Sequence, residues 1–319
     1  MTQKILAQKQ IFMYNNLMKK ISVLLILALL TGLTTQLPTN AGIISNYKAR
    51  IEQNKILKST HKEIKDLLLL QDKLANAHDL DSLKKLYSKN YVNSDGFDID
   101  VAFKMIEETW KTYPDISYTT KINNIEFSEN YATALVEETA FAAPTETIGD
   151  YKTVGELYSK SKCVYHLEKN GQNWQISSER VIDEVSTLKF GEARYINIEL
   201  NSPKQIGSGK QYTTTLKVDA PKDVTMVGSI SKKGISYPTE ENEDVYRKIS
   251  DNTLERVFIA NKENINESIA AAVGFTHAEN YDESKIRVYL SGLAFIMTRV
   301  NVIPENKYIK LEGKNEQNK

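Results

Sequence analysis

The stretch from Lys162 to Asp183, KCVYHLEKNGQNWQISSERVID, constrains the fold more than any other part of the chain. Two segments of alternating hydrophobicity flank Asn170-Gly171, a dipeptide that favours the tight turn of a β-hairpin. A two-residue turn sets which residues face each other. Centred on Asn170-Gly171, it predicts the pairs Leu167–Trp174, Tyr165–Ile176, Cys163–Ser178 and Ser161–Arg180. The large apolar residues then share one face. His166, Glu168, Gln175 and Ser177 share the other, with Val164 the one apolar exception.

Charge narrows the function classes. The 319 residues carry 41 Lys+Arg against 41 Asp+Glu, so no bulk charge directs the chain to nucleic acid or to a membrane surface. Cys163 is the only cysteine, which excludes an intrachain disulfide and a Cys-based zinc site. On the apolar face of the hairpin it reads as a buried, inert thiol. No His cluster, Gly-rich phosphate loop or nucleophile elbow is present, and neither a metal nor a cofactor is expected.

The N-terminal region predicts export. Met18-Lys19-Lys20 precedes the apolar run Ile21–Leu33, whose dozen or so residues suit a signal-peptide core better than a span of roughly 20. Thr39-Asn40-Ala41 offers small residues for cleavage before Gly42. Residues 1–41 are thus read as a signal peptide, with Met18 an alternative start to Met1, and an uncleaved anchor is the alternative to cleavage. The expected product is a bacterial protein, periplasmic or secreted, with no membrane span in the mature chain.

Residues 42–58 read as a linker or a first helical turn. From Ser59 to Ala77, Ile64, Leu67, Leu68, Leu70, Leu74 and Ala75 recur at helical spacing. Asp79 or Asp81 caps a second helix, Ser82 to Tyr87. Asp98 or Asp100 opens a third, Val101 to Thr112, which Tyr113-Pro114 ends. Strands follow at Ile116–Phe127 and Asn130–Ala142, then a loop from Pro144 to Gly155, then the hairpin. Three helices followed by antiparallel strands predict an α+β fold, with helices on one face of a curved sheet.

The helix Ile64–Leu74, the stretch DLDSLKKLYSKNYVNSDG at 79–96, the strand ENYATALVEETA at 129–140 and the hairpin together resemble the NTF2-like superfamily, in its SnoaL-like (DUF4440-like) branch. The resemblance covers residues 59–188. It implies a cone whose helices close one side of the sheet over a pocket, in a family holding isomerases, dehydratases, cyclases and many non-catalytic domains. Beyond Leu188 the pattern turns to six or seven short strands punctuated by Gly and Pro. Residues 192–305 are therefore expected to form a separate Ig-like β-sandwich, ahead of a disordered tail, 306–319.

Side-chain alternation places candidate chemistry. Trp174 and Ile176 point inward, so Ser178 and Arg180 follow unless a bulge intervenes. Ala132, Ala134 and Val136 bring Glu138 to the same interior. A Glu138–Arg180 pair is expected at the pocket, with Tyr91 and Asp95 near its mouth and Trp110, Tyr165 and Trp174 as walls. The leading expectation is a non-catalytic envelope protein. Its cone binds a small apolar or amphipathic ligand or forms a homodimer through the sheet, and its sandwich binds an envelope partner. The alternatives are a SnoaL-like isomerase, lyase or hydrolase using Glu138, Asp95 or Asp183, and a structural subunit with a filled cone. A desolvated, unpaired carboxylate in the pocket favours the enzyme; a paired Glu138 favours simple binding.

Overall fold

A computed structural model describes residues 43–148, 151–221, 224–239, 245–282 and 285–305. The signal peptide and the C-terminal tail read from the sequence lie outside them.

Three helices come first. Helix α1, Ile43–Asn76, is 34 residues long, about 50 Å at 1.5 Å per residue. Residues 42–58 are thus mostly helix, not linker. From Ile43 to Lys58 there is no Gly or Pro to interrupt the helix. Residues 52–59 are exposed, Thr60 is buried, and Ile64 and Leu68 are fully buried. Helix α2, Leu80–Lys84, starts where Asp79 accepts a hydrogen bond from the Ser82 amide; helix α3, Ile99–Thr112, starts where Asp98 accepts one from Val101. A carboxylate at these positions satisfies an amide the helix leaves unpaired. Phe103, Met105 and Trp110 of α3 are buried.

The strands are β1 Ser117–Ser128, β2 Tyr131–Ala142, β3 Thr145–Ile148, β4 Tyr151–Asn170 and β5 Asn173–Gly191. After a 3₁₀ turn at Glu192–Tyr195 come β6 Ile198–Asn201, β7 Gln205–Gly207, β8 Gln211–Val218, β9 Thr225–Gly234, β10 Arg247–Lys248, β11 Thr253–Ile259, β12 Glu267–Asp282 and β13 Lys285–Ile303. The segment expected as a loop from Pro144 holds β3 and the start of β4, which pair Thr145–Val154 through Ile148–Tyr151.

One large sheet runs β1-β2-β4-β5-β13-β12-β9-β10. This corrects the expected division into independent domains. β13 pairs with β5 from Gly292–Gly191 to Thr298–Val185, so the later strands extend the first sheet. A three-stranded sheet, β11-β8-β6, packs against the far half. Between the two layers lies a core that includes Leu216, Val218, Ile230, Ile269, Ala271 and Ile296. The other face of the same strands gives Ala270, Ala272, Leu293, Phe295 and Met297 to the helix-side core. Because side chains alternate, one strand can serve two cores.

The hairpin register also differs from expectation. Gly171 and Gln172 form the turn, and Asn170 pairs with Asn173, Lys169 with Trp174 and Leu167 with Ile176. Gly171 has φ 64°, which suits the first central position of a type II′ turn. A shift of two residues keeps every side chain on its expected face. Two bulges then change the faces. One leaves Ser177 unpaired and brings Tyr165 opposite Glu179; the other leaves Ile182 unpaired and brings Ser161 opposite Glu184. Residues 86–94 lie along this edge of β5: the Ser88 amide donates to the Ile176 carbonyl and the Ile176 amide to the Leu86 carbonyl, both at 2.8 Å.

Candidate functional site

A cavity of about 80 Å³ lies between the helices and the inner face of the sheet. Gln71, Asp72 and Ala75 of α1, Ile106, Thr109 and Trp110 of α3, and Glu138 and Ala140 of β2 contribute to its wall. Tyr113 and Tyr118 line it as well. Asp72, Ala75, Tyr118 and Thr120 are half-buried and form its mouth. Two clamps hold α1 there. Asp72 accepts from the Thr120 amide at 2.7 Å and from the Thr120 hydroxyl at 2.5 Å. Asn76 donates to the Tyr118 carbonyl and accepts from its amide.

Glu138 is the polar centre. The strand β2 alternates strictly, so Ala132, Ala134, Val136 and Glu138 all point inward. Small residues ahead of it let the helices approach the sheet. Glu138 is 7% exposed. Its Oε1 accepts from the Tyr165 hydroxyl at 2.5 Å and its Oε2 from the Cys163 thiol at 3.4 Å. Gln71 Nε2 donates to the Tyr165 and Tyr87 hydroxyls, each at 3.0 Å, and so ties the helix to the sheet through the site.

No cation pairs with Glu138 among the described residues. Burial pushes its carboxyl up to about 7; the Tyr165 and Cys163 donors pull the other way, and the nearby Asp72 carboxylate pushes it further up. Burial likewise holds the Tyr165 and Tyr87 hydroxyls and the Cys163 thiol well above their ordinary values, so all three keep their protons. A carboxyl poised near neutrality beside a proton-bearing phenol, in an apolar cavity, has the properties of a general acid–base.

The expected Glu138–Arg180 pair does not form. The bulge at Ser177 turns Ser178 and Arg180 outward and Glu179 inward. Ser178 donates to the Val92 carbonyl instead, at 2.8 Å. Glu179 is buried and accepts from the Tyr91 hydroxyl at 2.5 Å. Burial, and then the charge of Glu138, holds the Glu179 carboxyl well above the ordinary range. Tyr91 is therefore core, at 2% exposure, and not part of the mouth.

Three other candidates lie apart from the cavity. Asp95 forms a buried ion pair with Arg299 of β13 and accepts from Asn266 at 2.8 Å. Trp174 donates to Glu63 at 3.3 Å, with Lys169 5.5 Å from its ring centre, at the turn end of the hairpin. Asp183 pairs with Lys204 at the surface. Trp110 does form a wall, stacked on His78 with ring centres 4.6 Å apart. His166 points away from the cavity, and burial lowers its pKa to about 4.

The sequence reading missed Gln71, Tyr87 and Glu179. Gln71 carries a usable signal: it falls in phase with Ile64, Leu67, Leu68, Leu74 and Ala75, a polar residue inside an apolar stripe. Glu179 carries none, because nothing in the local sequence marks the bulge. Among the described residues no group of three His, Cys, Asp or Glu could hold a metal ion, and no helix is long and apolar enough to cross a membrane.

No family model matches the chain, and no curated protein matches it. Solved structures do. A protein of Novosphingobium aromaticivorans, provisionally named a scytalone dehydratase, is 16% identical over 40% of this chain and 86% of its own, with a TM-score of 0.34. A type 2 hexachlorocyclohexane dehydrochlorinase (LinA) is 12% identical over 39% of this chain and 84% of its own, at 0.33. ActVI-ORFA of Streptomyces coelicolor is 12% identical over 39% and 93%, at 0.29. At such TM-scores these neighbours bear on no question of activity.

Proposed function

We propose that the first part of this chain is an NTF2-like cone whose cavity performs general acid–base chemistry on a small molecule, with Glu138 as the proton-transferring group. One observation carries the reading: Glu138 is a desolvated carboxyl, free of any cation among the described residues, with a pKa near 7. This moves the balance from the non-catalytic reading to the enzyme. An ion pair with Arg180 would have kept Glu138 charged and unreactive; the bulge removes that pair. The reaction class that fits is proton abstraction from carbon, as in isomerisation or elimination. Tyr165 steadies the carboxylate through its 2.5 Å hydrogen bond, and Gln71 fixes the phenol that donates it.

The test needs no knowledge of the natural substrate. Deuterium exchange into acetone in D₂O, followed by NMR, reads a general base in an apolar pocket. The expected rate rises with pH through about 7, and Glu138→Gln lowers it by about a hundredfold, within the usual span for a general base. Asp183→Asn leaves it unchanged. Exchange that is equal in the wild type and in Glu138→Gln rules the reading out.

A second reading is ligand binding without turnover. It is favoured by the Cys163 and Tyr165 donors, which already satisfy Glu138. Under either reading we place the mature protein outside the cytoplasm, on the strength of the Met18–Ala41 segment. N-terminal sequencing of the mature chain tests this, with Gly42 the expected first residue.

A further inference from the structure

The cavity wall is chemically one-sided. It contains two carboxyls, Asp72 and Glu138, and four aromatic side chains, Tyr87, Trp110, Tyr113 and Tyr118. Among the described residues it contains no Lys, Arg or His. Aromatic faces carry negative potential and attract cations. A buried carboxylate without a counter-charge is costly, and a cation that enters removes the cost. An anion would meet two carboxyls and no cationic donor. A neutral guest would gain only apolar contact. An organic cation gains from both features.

Asp72 is placed to receive it. The residue is half-buried at the mouth, and each of its oxygens takes one hydrogen bond from Thr120. A carboxylate oxygen has two acceptor positions, so each keeps one. Volume sets the size of the guest. A cavity of about 150 Å³ holds benzene, whereas this one measures about 80 Å³. A branched alkyl group of about four or five heavy atoms fills it, with longer extensions leaving through the mouth.

We propose that the cavity selects a small branched alkylammonium ion, its nitrogen at Asp72 and its alkyl body against Trp110 and Tyr118. This rests on the preceding section only in that the cavity takes a ligand; Glu138 remains the proton acceptor.

The experiment is an NMR titration of the full-length mature protein with isobutylamine, isobutanol and isobutyrate, three guests of one shape and different charge. The chain has two Trp, and only Trp110 lines the cavity. Its indole N–H signal reports the site, and that of Trp174 reports surface binding. Trp174→Phe assigns the two. Isobutylamine is expected to move the Trp110 signal saturably at about one tenth of the concentration isobutanol needs, the advantage a desolvated cation gains from aromatic and carboxylate groups. Isobutyrate is expected to leave it still. Asp72→Asn keeps one acceptor oxygen for the Thr120 amide, while its Nδ2 donates to the Thr120 hydroxyl, and it should bring amine and alcohol within about threefold of each other. If that variant does not fold, Asp72→Ser is read in the same way. Isobutyrate binding as tightly as the amine overturns the proposal, as does an amine that moves both indoles alike or no saturable shift with any guest. Loss of the Glu138-dependent exchange with amine selectivity intact overturns only the catalytic reading.

Discussion

Arg299 grips Asp95 with two parallel hydrogen bonds, at 2.9 and 2.6 Å, between residues 204 apart in the chain. Their side chains are only 3% and 6% exposed. The pair joins the loop before α3 to the last strand, and Asn266 adds a third donor to the same carboxylate.

Removing one partner leaves the other as a buried, uncompensated charge. Asp95→Ala is expected to cost about 3–5 kcal/mol in chemical denaturation. Arg299→Lys should recover little, because an ammonium cannot reproduce the two-pronged contact. A loss under about 1 kcal/mol for Asp95→Ala would mean that the pair is not holding the halves together.

Tyr165→Phe removes the hydroxyl that stabilises ionised Glu138. The inflection in the pH profile of exchange should move upward by about one pH unit, since hydrogen bonds to charged groups contribute about 1.5–3 kcal/mol. The fold should survive, because the ring keeps its place in the core. An unmoved or lowered inflection would show that the bond does not tune the base.

Stability should decline from mildly acid to alkaline pH. When folded, Glu138 keeps its proton up to about 7 and Glu184 up to about 8, both through burial. Unfolded, each releases it near the ordinary value of 4.5. The folded state therefore holds more protons between 4.5 and 8, and its stability drops as pH climbs through that window, by roughly 3–5 kcal/mol per group at most. His166 acts in the opposite sense: its contribution is present above 6.5 and is lost as pH falls towards 4. Its half-exposed ring makes that term smaller. The melting temperature should peak near pH 4.5, where the two carboxyls begin to lose their contribution, and Glu184→Gln should flatten the alkaline decline. A higher melting temperature at pH 8 than at pH 6 would contradict this.

Gly191 sits where β5 meets β13. Its φ is 58°, and a Cβ there would lie 2.1 Å from the Ser291 carbonyl oxygen. That atom belongs to the backbone and cannot swing aside. Gly191→Ala is expected to cost about 2 kcal/mol or more, measured by thermal denaturation, while Gly171→Ala at an open turn should cost less. Equal costs at the two glycines would remove the steric argument.

Alternation and helix caps were readable in the sequence because they act within a few residues. Asp79 and Asp98 cap as their positions suggest, and Glu138 points inward as its spacing requires. The bulges were not readable. An unpaired Ser177 or Ile182 has no distinctive side chain, and a bulge belongs to the pairing of two strands, not to the local sequence of one. One such residue exchanged Arg180 for Glu179 in the interior and so changed the chemistry expected of the site. The shared sheet was hidden for a related reason. Pairing of β5 with β13 is a long-range choice, and the turn-rich sequence after Leu188 reads equally well as a detached sandwich.

The position of β13 between β5 and β12 also sets a timetable. During synthesis, β5 is complete more than a hundred residues before its partner: Thr298 closes onto the Glu184 carbonyl across 114 residues. Until residues 285–303 have left the ribosome, the Val185–Gly191 edge has no neighbour and the helix-side core lacks Leu293, Phe295 and Met297. An open edge beside an incomplete core is a surface that other chains can join. Closure across such a separation is also slow. Ribosome-bound chains ending before residue 285 should therefore be protease-sensitive and chaperone-dependent, and the native state should form only once residues 285–303 have emerged.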